Sequence, residues 1–298
     1  MSTPILNILV TGATGQQGGA VAHALLHQGH NVSALTRNSA SPAAEALKKQ
    51  GAKALSGDFN DQASLERAAD GMDAIFAMGT PFEAGTNNET VQACAIADAA
   101  RTAGCPHLVY SSVASADKGT GVPHFDSKYA VEQYIQRLGV PYTIIAPVFF
   151  FENFTASFAL PELVKGRLAL ALPADRALQA IAVRDIAGFV VHVLHDREDF
   201  LGRRVDIAGD ERTGTQFAEI ISEASGRKIT CVEAPIEAVR AMSDDMATMY
   251  EWFDKTGYSA DIARLRDDAP GVGWHTFSEW ASEQDWSALT RSDKAGVT

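Results

Sequence analysis

The chain has 298 residues, 46% of them hydrophobic and 21% charged, an ordinary globular composition with room for one large domain or two smaller ones. A formal net charge of −12 with no Lys/Arg cluster argues against a nucleic-acid partner, and no apolar run approaches the roughly 18 residues of a membrane span. Cys94, Cys105 and Cys231 are odd in number, far apart and without metal-ligand spacing, so neither a disulfide framework, a zinc site nor any other metal is expected. With Met1-Ser2-Thr3-Pro4 leading straight into an apolar run and no signal peptide in sight, the expectation is a reduced, cytoplasmic protein, monomer or homodimer.

Ile5 to Thr11 is a β-branched run of strand length. It enters Gly12-Ala13-Thr14-Gly15-Gln16-Gln17-Gly18-Gly19, and the residues from Ala20 to Leu26 have helical apolar spacing. Strands are expected next at Asn31–Thr36, Ala52–Ser56, Asp73–Met78, His107–Ser111 and Tyr142–Ala146. Helices are expected between them over Pro42–Gln50, Gln62–Asp70, Glu89–Ala103 and His124–Leu138. This alternation predicts right-handed βαβ units and hence an α/β, doubly wound parallel sheet of Rossmann type over residues 1–150. Beyond Pro147 the pattern loosens. The aromatic run Phe149 to Phe154 and a segment with Pro161 and Pro173 lead to a helix beginning near Ala182 and a strand at Arg204–Ala208. Residues 182–208 are expected to return to the main sheet. Helices over Thr215–Ser225 and Ile236–Lys255 belong to a smaller α/β substrate lobe, 151–291, with 292–298 a frayed tail.

Glycines between strand and helix let the backbone turn tightly and approach a ligand, while the helix N-terminus offers N–H groups to an anion. Gly12, Thr14, Gly15, Gln16, Gln17 and Gly18 therefore form a candidate pyrophosphate seat, although Gly12-x-x-Gly15-x-x-Gly18 is one residue wider at its front than the usual fingerprint. At the end of the second strand stand Thr36 and Arg37 with no acidic residue, which favours the 2′-phosphate of NADP(H) and leaves NAD(H) admissible. Asp58, followed by Phe59, either accepts from an adenine amino group or caps the next helix. Gly79, Thr80 and Pro81 either line the ribose or make a turn. In the short-chain dehydrogenases a Tyr stands four residues before a Lys, so that both share one helix face, with a Ser at the preceding strand end. Here Ser111 and Lys128 are retained but the Tyr position is His124, so Lys128, His124 and Ser111 are the catalytic candidates. Phe82, Phe151, Phe154 and Trp252, with Phe149 and Phe150, either rim a site for a flat hydrophobic substrate or pack as core. Met242, Met246 and Met249 are spaced as one helix face, which leaves Asp244 and Asp245 facing water.

Thr11 to Gly19, Leu35-Thr36-Arg37-Asn38, Gly57 to Asp61, His124-Phe125-Asp126-Ser127-Lys128, Phe150 to Phe154 and Thr276-Phe277-Ser278-Glu279-Trp280 occur in this order. As an ordered set they resemble the NmrA-like family of atypical short-chain dehydrogenases over nearly the whole chain. The resemblance implies an NADP-type cofactor on the glycine turn, Arg37 at its 2′-phosphate and Lys128 at the nicotinamide ribose. It also implies that Phe150, Phe151, Glu152 and Asn153 cover the nicotinamide end. Some members carry further basic residues where this chain has Ser41 and Cys94, which loosens the choice of NADP(H) over NAD(H). The family contains reductases of quinones or aromatic carbonyls and also cofactor sensors that regulate a protein partner. The expected ligand is accordingly a planar aromatic, quinone-like or polyketide-derived molecule, or else a regulatory protein.

Overall fold

A computed structural model describes residues 4–79 and 85–290. The expectations placed on Thr80, Pro81, Phe82 and the 292–298 tail lie outside those residues. Seven strands form the central sheet: β1 (Asn7–Val10), β2 (Asn31–Thr36), β3 (Lys53–Ser56), β4 (Ala74–Met78), β5 (Leu108–Ser111), β6 (Tyr142–Pro147) and β10 (Arg204–Ile207). Their order is β3-β2-β1-β4-β5-β6-β10 and every pairing is parallel. Alternation along each strand divides the core. Ile8 and Val10 point towards α1 (Gln16–His27) and α7 (Val183–His195), whereas Leu9 points towards α3 (Gln62–Ala69), α4 (Thr86–Thr102) and α5 (Pro123–Leu138). With α2 (Pro42–Lys49), capped by Ser41, these helices cover both faces. Strand order reverses between β1 and β4, so the carboxyl ends of those two strands bound the crevice where ligands bind in such sheets.

The segment after Pro147 is more regular than its prolines suggest. It contains β7 (Phe149–Phe150), a 3-10 turn at Phe151–Thr155, α6 (Leu160–Val164), β8 (Arg167–Leu170) and β9 (Ala177–Ile181). The strand β11 (Asp210–Thr213) pairs antiparallel with β9, which pairs in turn with β7, while β12 (Thr230–Glu233) pairs with β8. Around these small sheets lie α8 (Arg197–Phe200), α9 (Gly214–Ser225), α10 (Ile236–Met242), α11 (Asp244–Lys255), α12 (Ile262–Asp268), α13 (Phe277–Ser282) and α14 (Ser287–Thr290). The single helix expected over Ile236–Lys255 is broken. Ser243 is extended, with φ −160°, and its side chain accepts from the Met246 N–H, so it ends α10 and starts α11. The break leaves Met242 88% exposed while Met249 is buried, so the three methionines do not share a face.

His107, at the entrance to β5, is 1% exposed. The Thr143 hydroxyl spends its proton on the Phe200 carbonyl, so it accepts from His107 Nε2, 2.8 Å away, and Nδ1 is left without a proton. Burial, with Arg197 nearby, accordingly lowers the imidazole pKa to about 4. A base whose pKa is lower folded than unfolded contributes stability that is complete above its unfolded value of 6.5 and is lost as pH falls towards 4. Urea denaturation is expected to register a loss of about 3 kcal/mol from this group over that interval. His107→Asn should flatten that part of the profile; an unchanged slope would remove the assignment.

Candidate active site

β1 ends at Val10, and Gly12 turns the chain with φ +61°, in the left-handed region. A Cβ on Gly12 would stand 2.9 Å from Met78 Sδ, and one on Gly18 would lie 2.4 Å from the Gly12 carbonyl. The first turn of α1 is thus pressed onto the glycine loop, closer than any side chain permits. Gly15 is the N-cap of α1 and no side chain caps it, so the N-terminal N–H groups face the crevice. This cradle fits a dinucleotide pyrophosphate. Exposed Arg37 stands at the carboxyl end of β2. Asp58 does not cap α3. That cap is Asp61, which accepts from the Ser64 N–H, while Asp58 accepts from the backbone and side chain of Asn60. The Asp58 turn is therefore loop chemistry beside the crevice, with Phe59 half-packed on the core below.

Lys128, on α5, reaches across to the end of β4. Its Nζ donates to the Gly79 carbonyl at 3.3 Å and to Glu89 Oε1 at 2.6 Å. Glu89 lies in the first turn of α4 with a fully buried side chain, and its second oxygen accepts from the Ser127 hydroxyl at 2.9 Å. A buried carboxylate thus fixes the ammonium at the sheet's switch point. Glu89 is a residue the sequence reading missed. Its only signal, an acid opening a helix, is common to many helices. Ser111, at the end of β5, is 2% exposed and its hydroxyl accepts from Gln17 Nε2 at 2.7 Å. Gln17 therefore packs inward to bridge the glycine turn and β5.

His124 stands one turn before Lys128 and is 7% exposed. Its Nδ1 lies 2.6 Å from Asp245 Oδ1, and the same oxygen accepts from the His124 backbone N–H at 3.4 Å. Asp245 was expected to face water; instead its carboxylate turns inward, and only Asp244 faces out, paired with Arg240. That partner lies 121 residues away along the chain, where no local spacing can reveal it.

The aromatic run is core rather than rim at two of its expected positions. Phe151 is 0% exposed against Phe277 and Trp280, and Phe154 is 1% exposed against Phe217 and Phe277. Both rings belong to the core of the smaller lobe. The Glu152 carboxylate is likewise committed. It accepts from the Val183 N–H that opens α7 and from the Trp280 indole, and burial raises its pKa. It joins α7 to α13. Asn153 is half-buried in the same 3-10 turn and Phe150 is half-buried in β7. Trp252 is half-buried, edge-on to Phe125 and Tyr258, which brings α11 against the helix that carries His124 and Lys128. Among the described residues no cluster of His, Cys, Asp and Glu is arranged to hold a metal, and no helix is long and apolar enough to cross a membrane.

The model of one family, described as the NmrA-like family, matches residues 6–281. The chain belongs to the NmrA-like family. It is 29% identical over 291 residues to a (4-alkanoyl-5-oxo-2,5-dihydrofuran-3-yl)methyl phosphate reductase of Streptomyces griseus, covering 93% of this chain and 97% of that one. Quinone oxidoreductase 2 of Escherichia coli is 30% identical over 234 residues, covering 75% and 76%. Among solved structures, NmrA, a negative transcriptional regulator in complex with NADP, superposes with a TM-score of 0.81 at 20% identity over 99% of this chain and 98% of that one.

Proposed function

We propose that this NmrA-like chain is an NADP(H)-favouring oxidoreductase that reduces a planar, conjugated carbonyl compound of quinone-like or aromatic type. The observation that carries this reading is Lys128, whose ammonium is held at the end of β4, beside the glycine turn, by Gly79 and Glu89. The glycine cradle would take the pyrophosphate, Arg37 a 2′-phosphate and Lys128 the nicotinamide ribose. When bound, the cofactor supplies hydride. The protein's part is to hold donor and acceptor together, exclude water and provide the proton, for which His124 occupies the tyrosine position. The family's reductases of an oxo-dihydrofuran and of a quinone support this substrate class.

Calorimetric titration with NADP+, NADPH, NAD+ and NADH, each followed by an absorbance trace with menadione and a panel of aromatic ketones, tests the reading. Binding with turnover that falls at least about tenfold in Lys128→Ala is the expected result. Failure of the whole panel with NADPH, together with a silent Lys128→Ala, would sink it. Arg37→Ala is expected to weaken NADPH about tenfold and to leave NADH nearly unchanged, because only the phosphate loses a charge-assisted hydrogen bond. Equal losses for both cofactors would remove Arg37 from the 2′-phosphate site.

One pair of observations favours a second reading. The tyrosine is absent, and the Ser111 hydroxyl is occupied by Gln17. A cofactor sensor would bind NADP+ and NADPH with different affinities and hold a protein partner in one state only, because a ligand shifts an equilibrium only by its differential affinity. Tight binding without turnover, followed by cofactor-dependent capture of a partner, would establish it. Equal capture in the apo and loaded states would dismiss it.

A further inference from the structure

We propose that Asp245 is the positioning residue for His124, and that this carboxylate–imidazole pair delivers the proton that a tyrosine supplies in related enzymes. The inference rests on the reductase reading above and deepens it at the same site. Four features of the structure converge on it. First, His124 and Lys128 are i and i+4 on α5, so the imidazole lies on the helix face that carries the Lys128 ammonium. Second, a carboxylate accepts and does not donate, so the 2.6 Å contact between Asp245 Oδ1 and His124 Nδ1 places a proton on Nδ1. The ring's orientation and tautomer are thereby fixed, with Nε2 on the side away from Asp245. Third, Asp245 is held by structure rather than by chance. Ser243 caps α11, which puts Asp244 and Asp245 in its first turn, and the two acids part, Asp244 to Arg240 outside and Asp245 to His124 inside. Fourth, no side chain of its own segment caps α5 at Val122, and the Asp245 oxygen accepts a backbone N–H of that first turn. The carboxylate therefore lies where two helix N-termini meet, a setting that favours negative charge. Trp252, two turns further along α11, packs on Phe125 and keeps that helix against α5.

The chemistry balances with one proton from the protein. Converting a quinone to its hydroquinone takes a hydride, which brings both electrons, and one proton. His124 in its imidazolium form gives that proton from Nε2 to the carbonyl oxygen. It is left neutral with its other proton still on Nδ1 against Asp245, and solvent returns the one it lost. Asp245 touches neither substrate nor cofactor; it acts through His124.

The bland alternative is that Asp245 only caps α5, and the test separates the two. Asp245→Asn keeps an oxygen able to cap the helix but loses the charge, and its amide can donate to the ring and accept the wrong tautomer. The expected result is a fall in kcat of about a hundredfold with the quinone KM little changed, partial rescue in Asp245→Glu, and a thermal midpoint close to wild type. In the cofactor-free protein, the low-field Nδ1–H resonance of His124, identified by its loss in His124→Gln, should move or vanish in Asp245→Asn. A wild type that turns over, with an Asn variant of equal kcat and an unmoved resonance, overturns the inference and leaves Asp245 a helix cap. A wild type that reduces none of the panel overturns the reductase reading, and the catalytic use of the pair with it. The resonance then still reports whether Asp245 sets the imidazole.

Discussion

Gly18→Ala is expected to abolish useful dinucleotide binding while leaving a folded protein. The methyl would lie 2.4 Å from both the carbonyl carbon and the oxygen of Gly12, and 2.6 Å from the Thr11 carbonyl. All three are backbone atoms that cannot rotate away as a flexible side chain would. Either α1 lifts from the glycine loop or the loop itself shifts, and both movements displace the N–H groups that the pyrophosphate needs. Overpacking of this kind costs about 1–3 kcal/mol, and a comparable loss at the seat corresponds to as much as a hundredfold in affinity. Gly15→Ala is the informative comparison, since its Cβ would stand 3.4 Å from the Gly12 carbonyl, in ordinary contact. Titration with NADPH should rank wild type, Gly15→Ala and Gly18→Ala in falling order. If Gly18→Ala binds as wild type does, the crevice over the first βα turn is not the cofactor site.

What could be read from the amino-acid order follows the reach of local physics. The βαβ half is legible because each strand declares itself within four to six residues and each helix by its periodicity, and parallel crossovers then fix the order with little freedom. The positions of Lys128, the glycine turn and Arg37 at the ends of their elements were legible for the same reason, since each depends on spacing inside one unit. Glu89 and Asp245 were not, because each acquires its role only when a helix from elsewhere is laid beside α5. The aromatic run from Phe149 to Phe154 shows the limit most plainly. Composition marks it as apolar and planar, but whether Phe154 meets a substrate or meets Phe217 and Phe277 is decided by segments 63 and 123 residues further on. The short strands β7, β8, β9, β11 and β12 were missed because they stand outside the strand–helix alternation that marks the main sheet, and Asp210–Thr213 has no apolar residue to signal it. Ser243-Asp244-Asp245 carried a readable cap signal, which the methionine spacing across it obscured.

Arg204→Ala is expected to be the most destabilising single change among the polar residues beneath the site. From β10, Arg204 donates through Nε to Glu132 Oε2 at 2.8 Å, donates to the Val113 carbonyl at 3.0 Å and pairs with Asp206. Glu132 lies on α5, the helix that carries His124 and Lys128, and its side chain is fully buried, with the Ser112 hydroxyl donating to its other oxygen. Burial raises the Glu132 pKa and Arg204 holds it down. Removing the guanidinium leaves a carboxylate with no counter-ion at that depth, at a cost of about 3–5 kcal/mol. The sign with pH follows. A carboxyl whose folded pKa is raised above its unfolded value takes up a proton on folding, so the variant loses stability as pH rises through and beyond the ordinary carboxyl range. Urea denaturation should therefore find the deficit large at pH 8 and smaller at pH 5. Arg204→Met combined with Glu132→Gln should recover the part due to Glu132, which is the more deeply buried acid, and leave the part due to Asp206, which loses the same counter-ion. A deficit that is independent of pH and persists in full in the double variant would mean that Arg204 acts through packing of its stem against β6. In that case α5 would owe its position to its apolar face alone.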